Sequence, residues 1–325
     1  MFEPIIIHND EKVLTVDLHQ KLLLYEIKAS DKIPPPEVAL KIDNAIIGTL
    51  GNILSIIGKA KSRKSFFIGM AVSASVAKEN VISVLTNELP QSQRNVLYFD
   101  TEQGKYHVQK ALKRICTITG VSEPTNLNTY GLRALNPIER AELIEYAIYN
   151  TPNLGIVFID GIKDLITSIN DEEQATMIVS KLMKWSEEKN ILIVTVLHQN
   201  KGDNNARGHI GTELNNKAET VLSVSKSTEN EMVSIVQAEM CRNLEPESFA
   251  FEIDQNGIPY ISDYVANDKP SKKLTKKELF DLYKSEIVTD IFASTTDLGI
   301  GYGQLRDHFK RAYLAKCGES ICERT

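Results

Sequence analysis

The stretch SIIGKAKSRKSFF, residues 55–67, decides how the chain is read. It follows an apolar run, NILSII (52–57), and leads into KSFFIGMAVSASVAKEN (64–80), which has helical periodicity. Strand, turn and helix in that order predict a βα unit whose turn sits at a helix N-terminus. The pattern G-x-x-x-x-G-K-[ST] in such a turn cradles phosphate, because its backbone amides converge on the anion. Gly58 opens the pattern, Lys64 and Ser65 close it, and Arg63 stands where the second glycine belongs. Nucleotide is therefore expected on Gly58, Lys59, Ala60, Lys61, Ser62, Arg63, Lys64 and Ser65. Lys64 would reach the β- and γ-phosphates and Ser65 would hold Mg2+. Arg63 fits only if its backbone position does not demand glycine. An ordinary basic turn is the competing reading.

The surrounding sequence repeats the βα rhythm. NVLYFD (95–100), LNTYGL (127–132), LGIVFID (154–160) and ILIVTVLHQ (191–199) read as short strands separated by helical segments. Such runs predict a mostly parallel, twisted sheet covered by helices on both faces, an α/β fold. NPIERAELIEYAIYN (136–150) begins with Asn136 as a cap and Pro137 at the first helical position. ETVLSVSK, EMVSIVQAEM and FAFEI, between residues 219 and 253, read as a more antiparallel extension. The expected organisation is an N-terminal segment with a stiff Pro34–Pro36 connector (1–45), the α/β core (46–265) and a helical C-terminal region (270–325).

Composition narrows the classes. The chain has 325 residues, 42% hydrophobic and 25% charged, with no apolar run long enough to span a bilayer. Its start lacks the pattern of a secretion signal. Cys116, Cys241, Cys317 and Cys322 are scattered, which suits a reducing cytoplasm and free thiols rather than disulfides or zinc. Net charge is −6, but residues from Lys269 onward carry about +3. That tail reads as a solvated helical face or as a nucleic-acid-facing appendage.

Four further features supply chemistry. Asp160 ends the apolar strand GIVFID, where a carboxylate beside a phosphate loop holds Mg2+. Asp100 and Glu102 sit at the tip of LYFDTEQ. Glu102 there suits a general base acting on water, whereas Asp100 reads equally well as a turn residue. His198 ends another buried strand, placed to contact a terminal phosphate or to serve as a structural residue. The loop after it carries Lys201, Arg207 and His209, candidates for DNA contact on a polar surface loop. Arg242, in AEMCRNLEPE, could reach a neighbouring subunit's nucleotide or make a plain salt bridge.

In this order, the features resemble the RecA-like ATPase core, and most closely the DnaB-type and RepA-type ring helicases. The resemblance covers roughly residues 46–262. It implies Lys64, Glu102, His198 and Arg242 as catalytic residues, Ser65 and Asp160 at Mg2+, and ATP as the nucleotide. A homo-oligomeric ring, single-stranded DNA as partner, and a role in replication or mobilisation of a mobile element are also implied. Met240 replaces the lysine of the K-x-R-N finger segment, and there is no room for the N-terminal helical domain of DnaB-type helicases. The first departure, with Arg63, raises an alternative: a nucleotide-switched DNA-binding regulator with little turnover. The tail resembles the start of a winged-helix or helix-turn-helix module, and SICERT reads as the first turn of a helix continuing past Thr325.

Overall fold

A computed structural model describes residues 18–200, 206–264, 284, 287–292 and 301–317. These fall into two compact units, divided after Tyr264. The first contains the strands β1 (Val38–Ile42), β2 (Ala45–Thr49), β3 (Ile53–Gly58), β4 (Leu85–Asn87), β5 (Asn95–Asp100) and β6 (Leu127–Gly131). It continues with β7 (Leu154–Asp160), β8 (Leu192–His198), β9 (Thr220–Lys226), β10 (Ser234–Cys241), β11 (Phe249–Ile253) and β12 (Pro259–Ser262). Its helices are α1 (Leu18–Leu23), α2 (Lys64–Val76), α3 (Lys105–Thr119), α4 (Pro137–Asn150), α5 (Glu172–Lys189) and α6 (Gly208–Lys217).

The main sheet has nine strands in the order β12-β11-β10-β9-β3-β8-β7-β5-β6. From β9 to β6 neighbouring strands are parallel, and β10, β11 and β12 add the antiparallel extension. Alternation of side chains explains why the parallel strands read as unbroken apolar runs. In β3, Leu54 and Ile56 join the core on one face while Ile53 and Ile57 join the core on the other. Phe158 and Val194 likewise oppose Val157 and Ile193. One face is covered with α2 among its contributors, the other by α4, α5 and α6.

A second, three-stranded antiparallel sheet, β2-β1-β4, joins the first core. Its strands β1 and β2 pair across the boundary expected at residue 45, with Ile42 opposite Ala45. Ala39, Leu40 and Ile42 are buried, so packing of the α/β unit begins before that boundary. Asn136 caps α4 with Pro137 at its start, and Glu139 completes a reciprocal capping box.

In the C-terminal unit, residues 287–292 are helical, as is Tyr302–Cys317. They bury Ile287, Ile291, Ala312 and Tyr313 together, and Lys316 pairs with Asp290 at 3.6 Å.

Register decides where the chemistry collects. Gly58 pairs with His198, and Asp100 with Asp160, so the ends of β3, β8, β5 and β7 lie together at the C-terminal edge of the parallel strands. Crevices at that edge are where open α/β sheets bind ligands.

Candidate active site

The loop from Gly58 to Arg63 carries the chain from β3 into α2, whose first residue is Lys64. A Cβ on Gly58 would lie 2.4 Å from the Val224 carbonyl oxygen and 2.7 Å from Ser62 Oγ, so only glycine fits against β9. Arg63 occupies the left-handed region at φ 72°, ψ 27°, and Lys61 shares it at φ 64°. A left-handed residue flanked by right-handed ones turns successive amides inward, the geometry of an anion nest. The position does call for the conformation glycine adopts cheaply, and arginine adopts it at about 1–2 kcal/mol. Its guanidinium turns away and donates to the Met232 carbonyl and, at 3.3 Å, to Ser234 Oγ.

Lys64 is buried, and its ammonium donates to the carbonyls of Gly58 at 2.8 Å and Lys59 at 3.0 Å. Its third contact is His198 Nδ1 at 3.2 Å. Burial pulls its pKa down to about 8, against the opposing pull of Asp160 and Glu102. Phosphate oxygens can replace those carbonyls without loss of hydrogen bonds, and would favour the charged form that burial disfavours.

Asp160 closes the floor at 8% exposure. Burial, then the neighbouring Asp100 carboxylate, raises its pKa to about 7, while a hydrogen bond from Ser65 lowers it. Its Oδ2 is buried without a partner. The Ser65 hydroxyl and the Asp160 carboxylate, with its orphaned hard oxygen, suit Mg2+, which keeps most of its waters and uses few protein ligands. Among the described residues no cluster of three or more His, Cys, Asp or Glu offers an all-protein cage.

Glu102 lies across the cleft. Its Oε1 is 3.4 Å from His198 Nε2 and 2.6 Å from Lys163 Nζ. The hydrogen bond from His198, followed by Lys163, holds its pKa down at about 2 despite burial. His198 thus bridges Lys64 and Glu102. Asp100 has the turn role: it accepts from the amides of Glu102 at 3.0 Å and Gln103 at 2.7 Å and fixes the strand tip that carries Glu102. The cleft holds about 500 Å3, and its wall along α3 presents His107, Lys110 and Arg114, the last lying 3.9 Å over the Phe66 ring.

Lys163 was missed in the sequence. It rides the short 3-10 turn Ile162–Leu165 after Asp160 and also lines the cleft. The turn is pinned by Thr101, whose hydroxyl is 2.9 Å from both the Gly161 carbonyl and the Asp164 carboxylate. A lysine three residues past the strand tip was the available signal, but sequence spacing does not say which way a tight turn aims it.

The other expected residues stand apart. Arg207 is exposed, and its amide donates to the His198 carbonyl at 3.0 Å, closing the base of the loop after β8. His209 is exposed at the start of α6. Lys201 lies outside the described residues. Arg242 does not join its own chain's cleft. It follows β10, whose end pairs Cys241 with Thr220, and Thr220 begins β9, at the sheet edge opposite the phosphate loop. There it donates to the Lys217 carbonyl at 3.1 Å.

No curated protein matches the chain. A scan of protein families matches residues 21–204 to the AAA domain, more than half of the chain and the span from before β1 to just past His198. With a RecA-like sheet and a phosphate loop at its C-terminal edge, the chain belongs to the AAA-domain family of P-loop nucleotide-binding proteins.

Proposed function

We propose that the protein is a Mg2+-dependent ATPase acting on DNA, similar to the RepA-type and DnaB-type helicases, in replication or mobilisation of a mobile element. The observation that carries the ATPase reading is the convergence of Lys64, Asp160, Glu102 and His198 on one cleft beside the loop at 58–65. The loop amides and Lys64 grip the phosphates. Ser65 and Asp160 hold Mg2+, which would spread the charge of the β- and γ-phosphate oxygens. Glu102, kept anionic by His198 and Lys163, orients water for attack. His198 contacts the terminal phosphate and signals its loss. Arg242, on the far edge of its own sheet, serves the site of a second copy in a homo-oligomeric ring.

The DNA part rests on the loop after β8. Its base hangs on the His198 carbonyl through Arg207, so a shift of His198 reaches Arg207 directly. Lys201, Arg207 and His209 would face single-stranded DNA, and the basic tail, which resembles the start of a winged-helix or helix-turn-helix module, would add a second contact. One observation favours the low-turnover switch: a carboxylate held near pKa 2 by two partners is a weak base. ATP turnover with and without single-stranded DNA separates the two readings. DNA-stimulated hydrolysis lost in Glu102→Gln supports the motor, and tight binding with negligible turnover supports the switch. Failure to bind nucleotide overturns both.

A further inference from the structure

We infer that Arg63 is a positioning residue: it staples the phosphate loop to the turn between β9 and β10 and so does by a side-chain tether what the missing glycine does by backbone freedom. This rests on the nucleotide-binding reading of the loop. Arg63 immediately precedes Lys64 and holds φ 72°, a conformation that strains a residue with a Cβ and persists only where its surroundings offset the cost. The guanidinium supplies that fixation, to the Met232 carbonyl and Ser234 Oγ.

The anchor is itself rigid. Ser227 donates its amide to the Val233 carbonyl at 3.0 Å, and Val233 donates to Asn230 at 2.9 Å. Ser227 Oγ, 3.0 Å from the Tyr264 hydroxyl, accepts from the amide of Glu229 at 3.2 Å. Asn230 Oδ1 accepts from the amide of Met232 at 2.9 Å. Ser234 is fully buried at the start of β10 and pairs with Lys226 at the end of β9. Since β9 also pairs with β3, the loop is held at both ends by one framework: its start by Val224 against Gly58, its end by Arg63.

Loop basicity offers the opposite expectation, that Arg63 is one more cation on the phosphates. The two differ in what Ser234 would do. A tether is weakened by removing either partner, so Ser234→Ala speeds release in the wild type and adds nothing once Arg63 is alanine, while glycine at 63 relieves the left-handed strain that alanine keeps. A phosphate-binding cation does not depend on Ser234.

The test measures dissociation of a fluorescent ATP analogue with Mg2+ from the wild type, Arg63→Ala, Arg63→Gly, Arg63→Lys, Ser234→Ala and the Arg63→Ala/Ser234→Ala double variant. A charge-assisted hydrogen bond is commonly worth a factor of about 10. Arg63→Ala should release nucleotide about 3–10-fold faster, Arg63→Gly should recover most of that loss, and Ser234→Ala should add nothing in the Arg63→Ala background. A loss in Arg63→Ala that Ser234→Ala does not share, with rescue by Lys, would make Arg63 a phosphate ligand and overturn the staple, as would wild-type kinetics in Arg63→Ala. If the wild type binds no nucleotide, the nucleotide reading fails. The staple is then read by urea unfolding of the same cycle without ligand, where additive losses overturn it and non-additive losses uphold it.

Discussion

At the residue scale, the site sets unlike groups against their ordinary titration. Asp160 is raised to about 7 by burial and by Asp100, so the folded protein binds a proton more tightly than the unfolded chain does. Stability without nucleotide should therefore fall as pH rises from about 4 to 7 and level off above. Asp160→Asn removes this cost. We expect it to raise ligand-free stability at pH 8 by on the order of 2–4 kcal/mol in urea unfolding while abolishing Mg2+-dependent nucleotide binding. Unchanged or lowered stability would contradict the burial argument. Lys163 makes the complementary case. Its loss should let the Glu102 pKa rise from about 2 toward the usual carboxylate range, moving the acid limb of turnover upward in pH. Lys163 also holds the Glu102 carboxylate in place at 2.6 Å. Lys163→Ala should therefore lower kcat by about 10-fold through lost orientation despite the gain in basicity, with the KM for ATP little changed, and Lys163→Arg should restore part of it. A KM defect instead would place Lys163 on the phosphates.

At the element scale, the strand-turn-helix reading of residues 52–80 holds because each part has a separate cause: an apolar strand buried on both faces, a glycine against Val224, and a helix that starts at Lys64. The cap of α4 was equally legible, since Asn136 and Pro137 act locally. Asn136→Ala should cost about 1 kcal/mol by urea unfolding and leave nucleotide affinity unchanged. Gly58→Ala should affect both, driving a Cβ into a backbone carbonyl at a cost in stability and weakening ATP binding at least about 10-fold in calorimetry. What escaped the sequence depends on contacts far along the chain. The anchor of Arg63 lies 169 residues away at Met232, and the pairing of β1 with β2 and β4 brings Ala39, Leu40 and Ile42, which precede the boundary expected at residue 45, into the core. Lys163 belongs to the same class, because its partner sits on a different strand tip. Local pattern reports periodicity and turn chemistry, but not which distant groups a turn will face.

For the whole molecule, the opposite placement of the phosphate loop and Arg242 matters most. One chain cannot bring the two together without breaking β9 and β10, so a finger role for Arg242 requires a second copy. Mixing Lys64→Ala with Arg242→Ala, each inactive alone, should restore measurable turnover if sites are shared, and none if Arg242 acts only on Lys217 within its chain. The central claim is simpler: the loop at 58–65 still binds phosphate although Arg63 holds the glycine position. Titration calorimetry of wild type and Lys64→Ala with ATP, with and without Mg2+, tests it most directly. The account predicts Mg2+-strengthened binding by the wild type and a loss of at least about 10-fold in Lys64→Ala. Equal affinity in the two proteins, or no heat in either, would contradict it.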